Sequence, residues 1–461
     1  MGQIRCARSV FSTADTIVAI ATPPGRGGIG VVRLSGPSAH VLARRLIDRH
    51  ALLQPRHATL ATIRRPVNGA GESGGPFDCV VVTYFPSPAS YTGDDVVEIS
   101  AHGSPVVLKA IVGFACDAGA RVAEPGEFTL RAYLNGRLDL LQAEAVADLI
   151  DAVTPQQARA AFDQLNGTLT QTIAAIDGAL FNLIAQLEAS VDFPEEGYHF
   201  LEADTLATSI DGILRRTGGL LADAGRGRLL REGMQVAIVG APNVGKSSLF
   251  NALAGAGRAI VTEVPGTTRD LITETIDIDG VRVTLVDTAG IRETDDVIET
   301  EGIARARNAV GVADVVLLLL DRSKPFSPQP LDPLVERHKT LLVATKADLP
   351  AAWRRAECVD VSSTTGAGLD DLRQRILQAM DVEPAYDRPE ITNIRHIRLV
   401  ERADTALRRA RNAAIAEGGS MPEEFVLADL QEARGALEEI AGKRAPDDLL
   451  THIFSTFCIG K

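Results

Sequence analysis

The chain has 461 residues, which at roughly 150 residues per domain is enough for about three domains. It carries 47 lysines and arginines against 60 aspartates and glutamates, and this formal net charge of −13 argues against nonspecific coating of nucleic acid. Apolar residues make up 45% of the chain and charged residues 23%, so disorder over the whole chain is excluded and a sizeable core is expected.

The cysteines give no sign of a disulfide framework or a zinc site. Cys6, Cys79, Cys116, Cys358 and Cys458 are far apart and form no CxxC pair or Cys/His cluster. No run of 18 apolar residues without charge is present. We therefore expect no membrane span, no membrane partner and a cytoplasmic location.

Residues 1–135 predict an α+β domain. Strands are expected at residues 16–21 and 31–34 around a glycine-rich turn, and at residues 79–85 and 96–100 near Pro86 and Gly93. The turn at residues 25–30 fits G-x-G-x-x-G. A strand rather than a helix is expected after it, so we predict no dinucleotide site there.

Helical spacing begins at about Leu138 and predicts a helical domain in two parts, at residues 136–231 and 386–461. One helix is expected up to Val153, and a long helix is expected from Phe162 to Val191. Several arginines follow residue 390 (Arg395, Arg398, Arg402, Arg408, Arg409 and Arg411). They form either a solvated helix face or a contact for tRNA or a protein partner.

Residues 232–385, between the two helical parts, alternate apolar strands with helical stretches. Strands are expected at residues 234–239, 281–286, 315–320 and 340–344, and their continuous apolar runs suit a parallel sheet buried on both faces. The fold class is therefore multidomain, α/β and α+β, with an inserted P-loop domain.

The phosphate-binding loop is GAPNVGKS at residues 240–247, between a predicted strand and a predicted helix. Backbone N–H groups of Asn243, Val244 and Gly245 and of the helix start suit phosphate oxygens. Lys246 can reach the β- and γ-phosphates, the Ser247 hydroxyl can ligate Mg²⁺, and Ser248 follows in the same turn.

Two further motifs indicate GTP as the nucleotide. Asp287-Thr288-Ala289-Gly290 ends a predicted strand, where the aspartate can hold Mg²⁺ through water and the glycine N–H can sense the γ-phosphate. Thr345-Lys346-Ala347-Asp348 ends a later strand, and Asp348 can read the guanine N1–H and N2–H₂ edge. The set resembles a Ras-like GTPase, with Thr345 where asparagine is usual and a loose fifth motif at residues 362–364.

The residue that orients the attacking water is not obvious from the motifs. Ile291 follows the DTAG motif where Ras-type enzymes place glutamine, and isoleucine cannot hydrogen-bond water. Glu299, in the acidic segment 292–301, is a candidate for this role. The alternative is a solvated switch loop whose acidic residues are merely exposed.

The phosphate site has a candidate for additional positive charge. The side-chain oxygen of Asn243 and backbone carbonyls of residues 260–270 (IVTEVPGTTRD) can ligate a monovalent cation near the phosphates. Thr268 can complete the Mg²⁺ shell. The alternative is an ordinary flexible switch loop.

Several segments together resemble the MnmE (TrmE) tRNA-modification GTPase family over nearly all of residues 15–461. They are TPPGRGGIGVVRLSG at 22–36, YTGDDVVEISAHG at 91–103, PGEFTLRAYLNGRLDLLQAEAVADLIDA at 125–152, GAPNVGKSS, VPGTTRD, DTAGIR and the C-terminal FCIGK. Other GTPases share the phosphate loop but lack the N-terminal segments and FCIGK.

The resemblance implies metal and folate sites. Asn243 and the backbone at Thr262, Val264 and Thr267 would coordinate K⁺, Ser247 and Thr268 would bind Mg²⁺, and Glu299 would orient the catalytic water. The N-terminal domain would bind 5,10-methylene- or 5-formyl-tetrahydrofolate and form a homodimer. Arg33, Glu98, Arg137 and Lys461 match its folate-contacting positions, with arginine at 137 where lysine is known in the family.

The resemblance also implies a reaction. With an MnmG-like FAD protein, in a heterotetramer, the family adds an aminomethyl or carboxymethylaminomethyl group at C5 of the wobble uridine of certain tRNAs. Cys458 lies where a nucleophile has been proposed, and its alternative is a small apolar residue that packs a C-terminal segment. Competing hypotheses are a regulatory, ribosome- or RNA-associated GTP switch and a nucleotide-binding dimerisation scaffold.

Overall fold

The computed structural model of the chain describes residues 13–48, 52–65, 75–192, 203–256, 258–259, 272–287, 309–311, 313–326, 339–380, 391–415, 423–443 and 446–460. The chain forms two compact units. The first comprises Met1–Ala147, Leu165–Ala174 and Leu437–Lys461, and the second comprises Asp148–Gln164 and Ala175–Ala436. The second unit groups region 232–385 with helices that flank it in sequence, so the division of the chain into four segments remains a prediction.

The first unit contains a six-stranded sheet. Its strands are β1 (Ile17–Ile20), β2 (Ile29–Ser35), β3 (Thr59–Arg64), β4 (Pro76–Phe85), β5 (Val96–His102) and β6 (Arg121–Val122). The order is β3-β4-β5-β2-β1-β6, with only the β1–β6 pair parallel. The four predicted strands correspond to β1, β2, β4 and β5. Strand β2, rather than a helix, follows the glycine-rich turn at residues 25–30, as the sequence predicts.

Two helices cover one face of this sheet, α1 (Ala39–Leu46) and α2 (Pro105–Asp117). Alternate strand residues such as Val32, Val82 and Ile99 point toward them and are fully buried. Burial of each such side chain stabilises the fold by about 1.5–3 kcal/mol. On the opposite side of β1, Phe128 packs against Ile17 in a smaller cluster.

Three further helices contribute to a second core in the first unit: α3 (Glu127–Leu134), α4 (Leu140–Asp151) and α13 (Asp447–Ser455). Helix α3 begins after Gly126, whose φ of +66° favours glycine. A Cβ at Gly126 would lie 2.5 Å from the carbonyl oxygen of Phe454. The C-terminal helix therefore packs closely against the PGEF turn near residue 125.

The second unit contains a seven-stranded sheet with a phosphate-loop topology. Its strands are β7 (Met234–Gly240), β8 (Arg258–Ala259), β9 (Ile272–Ile278), β10 (Val281–Asp287), β11 (Val315–Asp321), β12 (Lys339–Thr345) and β13 (Cys358–Asp360). The order is β13-β12-β11-β7-β10-β9-β8, and the five strands from β13 to β10 are parallel. Strand β11 is buried at every residue before Asp321, as its apolar run predicts. The predicted α/β class of this region is confirmed.

The remaining helices are α5 (Pro155–Leu165), α6 (Thr168–Asp192), α7 (Ala203–Ala222), α8 (Ala224–Glu232), α9 (Lys246–Ala256), α10 (Leu369–Ala379), α11 (Ile394–Ala414) and α12 (Glu423–Ile440). The single long helix predicted from Phe162 is wrong. Gly167 has φ of +84°, and this left-handed residue separates α5 from α6. Phe162 is accordingly half exposed rather than part of a buried seam.

Most of the arginines after residue 390 are paired. Arg409 lies 2.7 Å from Asp429 and 2.6 Å from Glu432 on α12, and Arg411 lies 3.1 Å from Asp211 on α7. Arg402 and Arg408 also have acidic partners. These charges are neutralised within the protein, which disfavours the tRNA-contact interpretation of the stretch.

One helix in the described part of the chain, Thr168–Ala189, is long and apolar enough to cross a membrane by length and composition. A single such helix is weak evidence for a span, because core helices of soluble proteins pass the same test. Ile176, Leu180 and Leu187 of this helix are buried in the protein.

Candidate functional site

The phosphate loop lies between the end of β7 and the start of α9. Asn243 and Gly245 have positive φ angles, +59° and +107°, so the loop turns sharply before the helix begins at Lys246. The Lys246 ammonium donates to the carbonyls of Gly240 and Ala241, both at 3.0 Å. Ser247 and Ser248 are exposed in the first helical turn. This geometry presents backbone N–H groups and a lysine to an anion.

The loop is anchored at its centre by a buried side chain. Val244 is 2% exposed and packs in the core with Leu249 and Leu319. The exposed Asn243 and the partly buried Gly245 flank it, so the buried valine side chain anchors the loop.

Parallel strand ends bring the phosphate loop and the predicted base-recognition residues to the same edge of the sheet. Leu319 pairs in register with Gly240, and Asp321 pairs with Thr345. Asp287 ends β10 and pairs with Ile238 of β7. Ligands of such sheets bind outside the carboxyl ends of the strands.

Lys346 is held in a constrained position at the end of β12. Its φ is +61°, a left-handed conformation that is uncommon for a lysine. Its ammonium lies 2.6 Å from the Asp321 carboxylate. Burial raises the pKa of Asp321, but hydrogen bonds from Lys346 and Ser323 outweigh it and lower the pKa overall.

Asp348, the predicted guanine reader, is oriented by Ser362. The Ser362 hydroxyl donates to the Asp348 carboxylate at 2.6 Å, and this hydrogen bond is the main reason that the pKa of Asp348 is lowered. Ser362 also accepts a hydrogen bond from the Thr365 N–H at 3.2 Å. Ser362 of the loosely matched fifth motif thus orients Asp348 of the fourth motif.

Several predicted residues lie outside the described residues, and their roles remain predictions. They are Thr262, Val264, Thr267, Thr268, Thr288, Ala289, Gly290, Glu299 and Lys461.

A second group of predicted residues meets on the sheet of the first unit. Arg33 and Glu98 are register partners on β2 and β5, and their side chains form an ion pair with an N···O distance of 2.8 Å. The Arg33 guanidinium also lies over the rings of Tyr91 and Phe128, at 5.4 and 5.7 Å from their centroids. Both interactions hold the arginine in one orientation.

The C-terminal tail, residues 456–460, also lies beside Arg33. The guanidinium of Arg33 lies 3.5 Å from the Gly460 carbonyl, and Ile459 forms a backbone bridge with Pro125. Cys458 is exposed, whereas the adjacent Phe457 is buried in the core of α3 and α13. The thiol of Cys458 is therefore accessible, and the neighbouring phenylalanine provides the packing.

Arg137 is not joined to this group. It is exposed, and its Cγ would lie 3.3 Å from a Cβ at Gly93. No hydrogen bond links Arg137 to Arg33 or Glu98 in the part of the chain that the structure describes.

Two aromatic residues of this group were not predicted individually. Tyr91 donates to or accepts from Thr129 at 2.9 Å, and burial raises the pKa of its phenol. Tyr91 opens the YTGDD segment and Phe128 follows the PGE turn. The sequence signal was therefore present in the motifs but did not show which side chains would stack on Arg33.

The parallel sheet, the phosphate loop and the Thr345–Asp348 strand end together define a P-loop GTPase of the Ras-like class. The family described as GTP-binding protein TrmE N-terminus matches residues 16–137, and the family described as MnmE helical domain matches residues 140–458. A crystal structure of Aquifex aeolicus Era bound to GDP and AlF4− is 28% identical, over 38% of this chain and 66% of that chain, with a TM-score of 0.26.

The curated relatives match over almost the whole length. The tRNA modification GTPase MnmE of Koribacter versatilis is 46% identical over 97% of this chain and 99% of its own. The protein of the same name from Bordetella petrii is 44% identical over 98% of this chain and 99% of its own. The chain belongs to the MnmE family of tRNA modification GTPases.

Proposed function

We propose that this protein is a K⁺-dependent GTPase that modifies C5 of the wobble uridine of certain tRNAs in the cytoplasm. It acts as a homodimer with an MnmG-like FAD protein and uses a tetrahydrofolate one-carbon unit. The observation that carries the proposal is the convergence of Arg33, Glu98 and the C-terminal tail in a chain that also has a complete phosphate loop. A GTP switch without modification activity has no need for the group formed by Arg33, Glu98 and the C-terminal tail.

The phosphate loop residues fit the ions that the proposal requires. Ser247 offers a hydroxyl in the first turn of α9, which suits Mg²⁺, and Asn243 offers a side-chain oxygen on an exposed, left-handed loop residue, which suits K⁺. Bound ions there would stabilise the charge that develops on the phosphates during hydrolysis. Thr262, Val264, Thr267 and Thr268 complete the proposed ligand set.

In the N-terminal site, Arg33 and Glu98 provide a cation and an anion on a rigid sheet. Glu98 can accept hydrogen bonds from ring N–H groups of the folate, and Arg33 can donate to its oxygens. Lys461 directly follows Gly460, whose carbonyl lies beside Arg33. The exposed Cys458 thiol, as thiolate, is proposed to act as a nucleophile toward the uridine or an activated intermediate.

Nucleoside analysis of tRNA from a deletion strain tests the modification activity directly. We expect the C5-modified wobble uridines to disappear and to return with the wild-type gene but not with C458S. C79S is the matched control, because Cys79 is also an exposed thiol of the first unit. Unchanged wobble uridines in the deletion strain would leave the regulatory GTP switch as the better hypothesis.

The ion dependence is tested by GTP hydrolysis in matched potassium and sodium salts. We expect turnover to be several-fold or more faster in K⁺, because Asn243 supplies a ligand and the ion supplies charge near the phosphates. We expect E299A to bind GTP and lose turnover. Equal rates in the two salts, or full turnover by E299A, would contradict the respective assignment.

A further inference from the structure

The hairpin of β9 and β10 joins the two segments that sense the nucleotide in a P-loop GTPase. Residues 260–271 precede β9, and the motif at residues 287–290 begins at the last residue of β10. In GTPases of this class both segments contact the γ-phosphate and Mg²⁺ and are released on hydrolysis. Asp287 and Ile272 are register partners at this end, and the pairing continues to the turn at Asp279. A change at the nucleotide can therefore be carried to the turn, about 20 Å away, by paired strands.

The turn of this hairpin rests on α5. Gln156 lies in the first turn of α5, and its side-chain amide donates to the carbonyl of Asp279 at 3.1 Å. Gly280 follows with φ of +88°, and a Cβ there would overlap the Gln156 side chain. The glycine therefore permits a close approach that a larger residue would prevent, and the turn is in direct contact with Gln156.

The start of α5 is fixed to the ends of α4 and α8. Gln157 is 7% exposed, its side-chain nitrogen donates to the carbonyl of Arg231 at 3.2 Å, and its side-chain oxygen accepts the Val153 N–H at 2.9 Å. The Arg231 guanidinium in turn contacts the Asp148 carboxylate at 2.8 Å. We refer to Asp148, Gln157 and Arg231 as the helical joint. Its hydrogen bonds and its ion pair hold three helix ends together as one element.

A cavity of about 220 Å³ is bordered by both the hairpin and the helical joint. Its lining includes Arg282 of β10, Arg231 of α8 and Asp151 of α4. The Nε–H of Arg282 is buried and has no hydrogen-bond partner among the residues that the structure describes. Buried donors without acceptors are costly, and a void leaves side chains room to rearrange. The contact between β10 and the joint is therefore one that a second arrangement can improve.

We propose that Gln156 is a positioning residue that couples the nucleotide state to the helical joint through the β9–β10 hairpin. This inference rests on the proposed GTPase function and concerns its regulation. Hydrolysis releases the segments at one end of the hairpin, the hairpin shifts against β7, and its turn moves the start of α5. The joint then passes this movement to α4 and α8, which gives hydrolysis a route out of the GTPase region.

Hydrogen–deuterium exchange of the full-length protein tests the coupling. Exchange is measured for peptides covering residues 148–165 and 224–233, in magnesium and potassium salts, with GDP and with GDP plus AlF4−. We expect wild-type rates in these peptides to differ at least about threefold between the two states, and Q156A to lose this difference. Q156E keeps the size of the side chain but replaces the donor by an acceptor, so it should behave like Q156A.

The matched control is Q378A, because Gln378 is exposed on α10 of the same unit. It should show the wild-type difference between the two nucleotide states. A purely structural role of Gln156 would lower the melting temperature and raise exchange equally in both states. If Q156A does not fold, Q156E carries the same comparison with Q378A.

Two activity measurements separate coupling from catalysis. GTP hydrolysis by Q156A should stay within about twofold of wild type, because Gln156 meets the hairpin at the end opposite to Asp287. Wobble-uridine modification in a complemented deletion strain should fall at least about fivefold, because hydrolysis no longer reaches the joint.

Equal exchange of the wild-type peptides in the two nucleotide states would overturn the proposal. A difference that persists in Q156A, a loss of GTP hydrolysis in folded Q156A, or full modification by Q156A would overturn it as well. A wild-type protein that does not hydrolyse GTP, or a deletion strain with unchanged wobble uridines, would instead refute the proposed function. The two failures are therefore distinguishable.

Discussion

Arg33 and Glu98 face each other across adjacent antiparallel strands, with 2.8 Å between the guanidinium and the carboxylate. Their side chains remain partly exposed, so the pair is open to a ligand. Partly exposed cross-strand ion pairs contribute only about 0.2–1 kcal/mol to stability. We therefore expect the orientation of the pair to matter more for ligand binding than for folding.

We expect R33A to weaken binding of 5-formyl-tetrahydrofolate at least about tenfold, because it removes the positive charge that lies over the rings of Tyr91 and Phe128. The melting temperature should change by only a few degrees. R64A is the matched control, since Arg64 pairs with Asp48 at 3.4 Å on the same sheet. Calorimetric titration checks the prediction, and equal folate affinity of R33A and R64A would contradict it.

The position of the C-terminal tail depends on Gly460. Its φ is +100°, and a Cβ there would overlap the carbonyl oxygen of Ile20. We expect G460A to displace the tail and to abolish wobble-uridine modification, while GTP hydrolysis in the second unit continues. G113A is the control, because Gly113 is helical and a Cβ there would meet nothing within 4 Å.

Complementation of a deletion strain and a GTPase assay in parallel measure the two activities of each variant. Normal modification by G460A would show that the tail is not required in this position. Loss of both activities in G113A would show that the first unit does not tolerate even a substitution that causes no steric overlap.

A partly buried charge network is expected to make the first unit sensitive to acid. Arg131 is 1% exposed and contacts Asp15 at 2.6 Å and Glu127 at 2.9 Å, and Arg121 contacts both carboxylates as well. Burial raises the pKa of each carboxyl, but the hydrogen bonds from the arginines outweigh it. The pKa values of Asp15 and Glu127 therefore fall below their ordinary values of 3.8 and 4.5.

A lowered carboxyl pKa contributes stability that is present above the unfolded pKa and is lost as pH falls through the folded pKa. We expect E127Q to lower the free energy of unfolding by about 2 kcal/mol at pH 7, because buried Arg131 loses a charged partner. The difference from wild type should shrink below about pH 4.5. Urea unfolding of both proteins from pH 7 to pH 3 checks this, and a constant difference would contradict it.

The turn between β9 and β10 is closely covered by α5 within the second unit. The Gln156 side chain donates to the Asp279 carbonyl at 3.1 Å, and a Cβ at Gly280 would overlap that side chain. Gly280 also has φ of +88°. We expect G280A to destabilise the second unit by about 1–3 kcal/mol.

The double variant G280A/Q156A should recover the part of this loss that comes from the overlap and retain the part that comes from the backbone. G178A, in the interior of α6 where a Cβ meets nothing within 4 Å, should instead be neutral or stabilising by up to about 1 kcal/mol. Thermal unfolding of the four proteins measures these differences. Equal melting temperatures of G280A and G178A would show that the overlap with Gln156 does not destabilise the protein.

The sequence by itself determined the elements and the class of site. Continuous apolar runs specify the buried parallel strands β7 and β11 and the partly buried strand β12. The phosphate loop is a contiguous sequence motif, so its glycines and lysine can be identified without knowledge of the fold. The helix expected through residue 167 was the exception. Apolar spacing continues across Gly167, but a left-handed glycine ends a helix whatever the spacing.

Only the tertiary structure decided which distant residues meet. Arg33 lies 427 residues from Gly460 in sequence and within 3.5 Å in space, and Thr345 reaches a loop 101 residues earlier. Periodicity fixes the face on which a side chain lies, but its partner depends on strand order and on where the chain returns. The arginines of α11 show the same limit. Their spacing marks a basic face, whereas the acidic residues of α7 and α12, brought there by packing, neutralise much of it.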